Sequence, residues 1–415
     1  MNKKPLFLSL LLTMLLLFGC VANLPILMLA VVAIICASLV AFNLTDATCI
    51  LMYFSPLSYI LVYNQYNIYI LIAVAYMAVT LIKKRYAIGV ITLVFLLFYC
   101  VCFANFDAPL NIGQFIYPIL LMLLIFVCQN AKKKDYKRYV DYFLAGFIIS
   151  AIIGFFKDQI PLIQNILDSD ILYIDGVETS MNIIRYSGLS YDPNFFALID
   201  CILIAVLLVS ETRMNFIKLM TICFLVIAGL FTFSKSYVIL LGIIVIIFAL
   251  KNKKILKAMF IVLIGGICLL LAEKYSKLAL ISLIEARFSS ANGVNDLTTG
   301  RIEIWTEYIR YIFDNAKCLF LGDGFNTFSL RKAAHNTYID FIYRFGIVGT
   351  ILWWKYFALS NSYIKKANEK KALFNVPGLV LLVGLFFLSA FYFQQFWCCI
   401  FLVMISPHLN MEGNG

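Results

Sequence analysis

The sequence predicts an all-α fold, a single polytopic membrane domain of about 12–14 spanning helices with two extracytoplasmic loops. Three observations predict it. Of the 415 residues, 63% are hydrophobic and only 13% charged, against roughly 25% charged in a soluble domain. Apolar runs of bilayer-spanning length recur from end to end, and a bilayer accepts helices that are hydrophobic on every face, which a soluble core does not need in such number. The basic residues gather at alternate ends of those runs, as they do where they mark the cytoplasmic side. Residues 1–415 therefore read as one membrane domain, not a string of soluble ones.

The first run, 6–22, follows Lys3 and Lys4. Leu17-Phe18-Gly19-Cys20 has the form of a lipoprotein cleavage site, but a second run opens at once at Leu24, so 6–22 reads as an uncleaved first helix. Further runs fall at about 24–42, 47–63, 66–82, 86–104, 112–130, 139–156, 194–210, 216–233, 236–250, 256–272, 338–358, 374–391 and 393–407. Lys83-Lys84-Arg85 follows the fourth run, and Lys132-Lys133-Lys134 with Lys137 and Arg138 follows the sixth. Arg213 and Lys218 follow the eighth, Lys251, Lys253, Lys254 and Lys257 the tenth, and Lys365, Lys366, Lys370 and Lys371 the twelfth. With Lys3 and Lys4 these clusters hold 20 of the 33 basic residues, all on one side if the spans alternate, which places the amino terminus in the cytoplasm. The net charge of +11 is then an orientation signal and a contact for membrane lipids with anionic headgroups, and no nucleic-acid partner is expected.

The 12 cysteines are scattered, mostly within apolar runs, and fit neither zinc spacing nor a disulfide framework. No metal site, no cofactor, no nucleophile elbow and no soluble nucleotide-binding domain is expected.

Two loops on the outer side stand apart, 157–193 and 273–337. Loops of this length carry function or are disordered. In the second, Ile302, Trp305, Ile309, Ile312 and Phe313 recur at helical spacing after Thr299-Gly300, which predicts an amphipathic helix on the membrane surface or over a cavity.

The residues that can carry chemistry sit in or beside these loops. Asp192-Pro193 reads first as a cap on the next helix. Arg185 is one of two basic residues in a loop with six acidic ones; it fits an interfacial anchor or a bidentate phosphate ligand. Lys235 is the only charge between Lys218 and Lys251 and admits the same two readings. Arg301 sits in the first turn of the predicted amphipathic helix, where a cation opposes the helix dipole. That placement makes sense if an anion binds there; the plainer reading is a pair with Glu303. His335 stands where the second loop re-enters the membrane and can accept a proton from a hydroxyl, with Asn336 beside it as a helix start. Asp340 and Arg344 are four apart on one helical face and are expected to pair.

In order, Arg185 with Gly188 and Asp192-Pro193-Asn194, the Phe231-Thr232-Phe233-Ser234-Lys235-Ser236 turn, Gly300-Arg301 with Trp305, Gly322-x-Gly324, His335-Asn336-Thr337-Tyr338 and Gly346-Ile347-Val348-Gly349 resemble the motifs of the bacterial O-antigen ligase and polymerase superfamily. The resemblance covers about Arg185 to Gly349 and rests on the ordered combination, since no single motif is specific. It implies a metal-independent glycosyltransferase on the outer face of the plasma (inner) membrane. The donor would be a polyprenyl-pyrophosphate-linked glycan. The acceptor would be a second lipid-linked repeat unit for a polymerase, or a lipid or wall anchor for a ligase. A flippase and a chain-length regulator would be the partner proteins. Carried over, Arg185, Lys235 and Arg301 would hold the pyrophosphate and His335 would activate the acceptor, with Asp192, Asn336, Asp340 and Arg344 in support. The chain departs from the family in carrying Lys235 where arginine is usual, and Arg344 where an acidic residue usually precedes the Gly-Ile-x-Gly run.

A flippase or transporter of lipid-linked glycans is the competing class. It would place charged or broken helices around a midplane cavity, often in two related halves; the sequence shows no internal repeat and concentrates its polar residues in the outer loops.

Overall fold

The structure is a computed structural model describing residues 4–63, 66–84, 89, 92, 116–160, 171–172, 183–190, 192–210, 215–252, 266, 300–324, 333–364 and 375–409. It is all-helical apart from two antiparallel ladders of two residues a strand, Val62–Tyr63 with Tyr66–Asn67 and Ile171–Leu172 with Ile183–Ile184. The predicted runs at 86–104 and 256–272 lie outside the described residues except Gly89, Thr92 and Gly266, as do most of the first loop and the 365–371 lysines.

The helices are α1 (Lys4–Val21), α2 (Pro25–Ala41), α3 (Leu44–Phe54), α4 (Tyr69–Lys84), α5 (Ile116–Asn130), α6 (Tyr136–Gly154), α7 (Pro193–Val209), α8 (Phe216–Leu230), α9 (Lys235–Asn252), α10 (Arg301–Asp314), α11 (Ala316–Leu321), α12 (Thr337–Ile364), α13 (Val376–Gly384) and α14 (Phe396–Ile405). Local chemistry starts most of them. Asn43, Asp192, Asn215, Asn315 and Asn375 each cap the following helix with a side-chain oxygen, and proline stands in the first turn of α2, α7 and α13, where no amide is needed. Lys83 closes α2 by donating to the Val40 and Phe42 carbonyls at 2.7 and 2.6 Å.

Among the described residues α1 alone is long and apolar enough to cross a membrane by length and composition; six further apolar helices have 10–17 residues. Helices α7 and α14 are buried on nearly every side and form the middle of the bundle. Around α7 pack α8, α9, α13 and α14, while α5 joins α4, α12 and α14. An ion pair between Asp46 and Arg138 ties α3 to α6.

Four predicted spans are not continuous α-helices, the 338–358 run being broken within α12. The run at 47–63 leaves α geometry at Ser55–Ile60, a 3-10 segment. Pro56 cannot donate an amide there, and Gln395 takes the Ser55 carbonyl at 3.1 Å and the Ser58 hydroxyl at 2.8 Å. The runs at 374–391 and 393–407 are the short helices α13 and α14, joined by the irregular segment 385–395 with a 3-10 turn at Ala390–Tyr392.

Helix α12 is broken at Gly346, whose φ of 61° and ψ of −175° only glycine adopts freely. The break frees carbonyls that the Gly322 turn collects: Asp323 N donates to Tyr343 O at 2.7 Å and Gly324 N to Arg344 O at 3.0 Å. The two backbones touch so closely that a Cβ on Gly322 would stand 2.1 Å from the Arg344 oxygen, and one on Gly346 2.3 Å from the Phe320 carbonyl. This contact seats the amphipathic helix. Tyr308, Ile312 and Cys318 of α10 and α11 join Ala334 and Tyr343 in a small second core beside the main one.

Candidate functional site

Arg185 is buried although it carries a full charge. Its Nε donates to the Thr232 carbonyl at 3.0 Å and its Nη2 to Asn194 Oδ1 at 3.2 Å. Asn194 Oδ1 also accepts from Ser234 Oγ at 2.6 Å, and the Ser234 and Ser236 hydroxyls lie 2.7 Å apart. Tyr186 N donates to Phe231 O at 3.1 Å. The 185–194 and 231–236 segments, separate motifs in sequence, are therefore one knot. Asp192 caps α7 through Asn194, accepting its backbone N–H at 2.6 Å and its side-chain amide at 2.8 Å. Lys235 opens α9 on this knot and is half-buried.

The second half of the site is built on the loop-two helix. Gly300 turns into α10 with a left-handed φ of 73°. Arg301, half-buried, donates from Nη1 to the Phe387 carbonyl at 3.1 Å, so its partner is that carbonyl and not Glu303. Trp305 Nε1 reaches the Ala334 carbonyl at 2.8 Å, directly before His335. The Asn336 side chain caps α12, accepting from Tyr338 N at 3.0 Å and Ile339 N at 3.2 Å. Thr337 is clamped on the 385–390 segment: its N donates to Leu385 O at 2.9 Å, its hydroxyl donates to Leu388 O at 2.5 Å, and it accepts from Ala390 N at 2.9 Å. Arg301 and the His335 turn thus share one support.

The two halves meet around Asp192. Its carboxylate and Arg185 both act electrostatically on Arg301, and Arg301, Asp192 and Asp340 all act on His335. Phe195 of α7 stacks on Phe393 at 4.8 Å, which draws the Asp192 end of α7 against the segment that holds Arg301.

Burial, with help from the Arg301 charge, lowers the His335 pKa from its ordinary 6.5 against the opposing pull of Asp192 and Asp340. The imidazole is therefore neutral at neutral pH and can accept a proton. Burial also lowers the Arg301 pKa, with Arg185 adding to it and Asp192 opposing, but a guanidinium keeps its proton in proteins. Arg185 and Arg301 are set against the Asp192 carboxylate, the Asp340 carboxylate being paired with Arg344, so the site is suited to an anion.

His335 and Phe233 have φ of 47°. Left-handed geometry at a histidine and at a phenylalanine is strained, and both residues flank the polar centre. Asp340 and Arg344 pair at 2.9 Å with both side chains almost fully buried, which fixes the α12 turn behind His335.

Sequence reasoning missed the 385–395 segment. Beyond seating Arg301 and Thr337, it presents Gln394, whose Oε1 accepts from Asn67 Nδ2 at 2.7 Å; the same amide reaches Ser58 O at 3.1 Å. The Tyr59 hydroxyl, buried nearby, is within electrostatic reach of Asp192. The available signal was the Gln394-Gln395 pair standing inside an apolar run.

Scans against protein-family models, the curated proteins and the solved structures found no match.

Proposed function

We propose that the protein is a multi-pass plasma-membrane glycosyltransferase with a cytoplasmic amino terminus. It polymerises polyprenyl-pyrophosphate-linked repeat units at the outer face in capsule, exopolysaccharide or O-antigen synthesis. Ligation to another acceptor is the near alternative. The observation that carries the reading is that Arg185, linked to Asp192 through Asn194, lies within electrostatic reach of Arg301, and Arg301 and Asp192 within reach of His335.

That set suits a dianionic leaving group and a hydroxyl nucleophile. The acceptor oxygen attacks the anomeric carbon and the bond from that carbon to the pyrophosphate oxygen breaks. The bonding pair stays on the pyrophosphate, and the hydroxyl proton passes to His335. Arg185 and Arg301 stabilise the charge that grows on the leaving group, with Lys235 as a third cation; fixed charge of this kind is the largest help such a step receives. Asp192, Asn336 and the Asp340–Arg344 pair hold these groups in place.

Exposed apolar side chains support the membrane setting. Phe7, Met14, Ile26, Ile82, Phe216, Ile217 and Leu250, all in or beside the apolar runs read as spans, are each 69–78% exposed, as side chains facing lipid would be. On α10, Tyr308 and Ile312 face the protein while Ile302, Ile309 and Phe313 are exposed, so the helix presents an apolar stripe outward as a surface-lying helix does.

One observation favours the transporter reading. Asp200 is buried in α7 near the Tyr237 hydroxyl, yet neither carboxylate oxygen has a partner of hydrogen-bond geometry among the described residues. Intramembrane carboxylates of this kind mark transport paths. The test is reconstitution in liposomes with a polyprenyl-pyrophosphate repeat unit, read on a glycan gel. A ladder of longer products supports transfer. Movement of an unlengthened unit across the bilayer, abolished by Asp200→Asn, would replace it with transport.

A further inference from the structure

At the end of α7 away from Asp192, about 25 Å along the helix, a cavity of about 220 Å³ opens between α6, α7 and α8. That is several times the ~30 Å³ share of one water. Three helix ends meet at its mouth. Lys137 stands in the first turn of α6, Ser210 follows the last turn of α7, and Asn215 caps α8 by accepting from Lys218 N at 2.8 Å. The Lys218 ammonium crosses to Ser210, donating to its carbonyl at 3.1 Å and its hydroxyl at 3.0 Å. Deeper along the same helices the wall turns apolar, with Val140 and Leu144 of α6 and Val206 and Leu207 of α7. Among the described residues the titratable groups on the lining are Lys137, Lys218 and Asp141, two cations against one carboxylate.

A lysine that only closes the end of α7 needs neither a cavity nor a greasy wall beneath it. Beside the mouth, Phe216 and Ile217 are 72% and 74% exposed, so an amphiphile entering here finds apolar surface on the outside as well. The order is cationic and hydroxyl-bearing at the helix ends, apolar one to two turns in. It follows the order of a phospholipid, phosphate outermost and acyl chain inward, and basic pockets between helices on the cytoplasmic side bind such headgroups.

We infer that this cavity is a binding site for an anionic phospholipid of the inner leaflet, its phosphate between Lys137 and Lys218 and its first acyl carbons along Leu144 and Leu207. The inference rests on the membrane setting proposed above and is independent of the transfer chemistry.

The experiment is native mass spectrometry of the full-length protein in detergent, titrated with phosphatidylglycerol and, separately, phosphatidylcholine. Phosphatidylglycerol is expected to bind more tightly. Lys137→Gln and Lys218→Gln are each expected to weaken it about fivefold, and the double variant about 30-fold. Leu144→Trp, which fills the apolar end without changing charge, is expected to weaken both lipids, and inorganic phosphate is expected not to displace them. Equal affinity for the two lipids, unchanged binding in the double variant or in Leu144→Trp, or displacement by inorganic phosphate would overturn the proposal, the last in favour of a free-anion site. Alkaline carbonate extraction of native membranes separates the two layers of the argument. A chain that is stripped off ends the membrane setting itself, whereas one that stays and fails the lipid titration ends only the lipid site.

Discussion

Replacing Asp340 with leucine takes the carboxylate away from a buried guanidinium. In the wild type Arg344 Nε donates to Asp340 Oδ1 at 2.9 Å and both side chains are 2% exposed. At that distance and an effective dielectric of about 20, the gross attraction is ~6 kcal/mol. Much of it offsets the cost of taking both ions out of water, so the pair itself stabilises little, while breaking it costs about 3–5 kcal/mol because a buried guanidinium loses its carboxylate. The remaining contacts of Arg344 include the Gly324 carbonyl at 3.5 Å and the Phe391 ring at 5.9 Å, neither of which neutralises it. Asp340→Leu is therefore expected to lose about 3–5 kcal/mol in equilibrium unfolding in mixed micelles, and the double variant Asp340→Leu/Arg344→Leu distinctly less. A single variant no worse than the double would refute the reasoning. It would mean that Arg344 reaches water or another anion once its partner is gone.

The other predictions concern the site directly. Arg301→Ala is expected to slow glycan transfer roughly 10²–10³-fold, by analogy with the loss of one charge-stabilising donor, and Arg301→Lys to recover part of that loss without the bidentate geometry; single-turnover rates measure both. Because the folded-state pKa of His335 lies below its ordinary 6.5, a base role predicts an acidic limb in the rate whose midpoint lies below that of a free imidazole. In Arg301→Gln that acidic limb shifts upward, since a cation that lowers the pKa has gone, and a limb unmoved in a pH–rate profile would count against the pairing. The same depressed pKa makes His335 destabilising once protonated, so its effect on stability appears as pH falls through 6.5 and is absent above it. Gly346→Ala forces a left-handed residue into a carbonyl 2.3 Å away and is expected to lower the yield of folded monomer on size exclusion, with strain alone of order 1–3 kcal/mol.

The parts of the site that were legible in sequence are those set by local chemistry. Asp192-Pro193 and Asn336 cap helices because short polar side chains reach backbone N–H groups two or three residues on. Asp340 and Arg344 pair because four residues is one helical turn. The amphipathic period of 301–314 was legible too, but not the face it buries. Of the expected stripe, Ile312 enters the protein, beside Tyr308, and Trp305 is half-buried, whereas Ile302, Ile309 and Phe313 stay exposed. Periodicity detects a helix; it does not say which of two apolar faces finds a partner.

What sequence could not show was set by contacts between distant segments. Pro56 ends α3 early, and the broken turn persists because Gln395 takes its carbonyl from 340 residues away. The 385–395 segment reads as the end of one apolar run and the start of the next. Its irregular path depends on the Thr337 clamp, and that path is what gives Arg301 its carbonyl. Apolar length alone therefore overstated the continuity of four helices, α12 with its break at Gly346 among them.

Binding of polyprenyl pyrophosphate, measured beside transfer, tests the central claim most directly, because it separates holding the leaving group from activating the acceptor. The account predicts that Arg301→Ala and Arg185→Ala each weaken binding at least tenfold, while His335→Ala binds as the wild type does yet transfers no glycan. Undiminished binding in the arginine variants, or full transfer in His335→Ala, would contradict it.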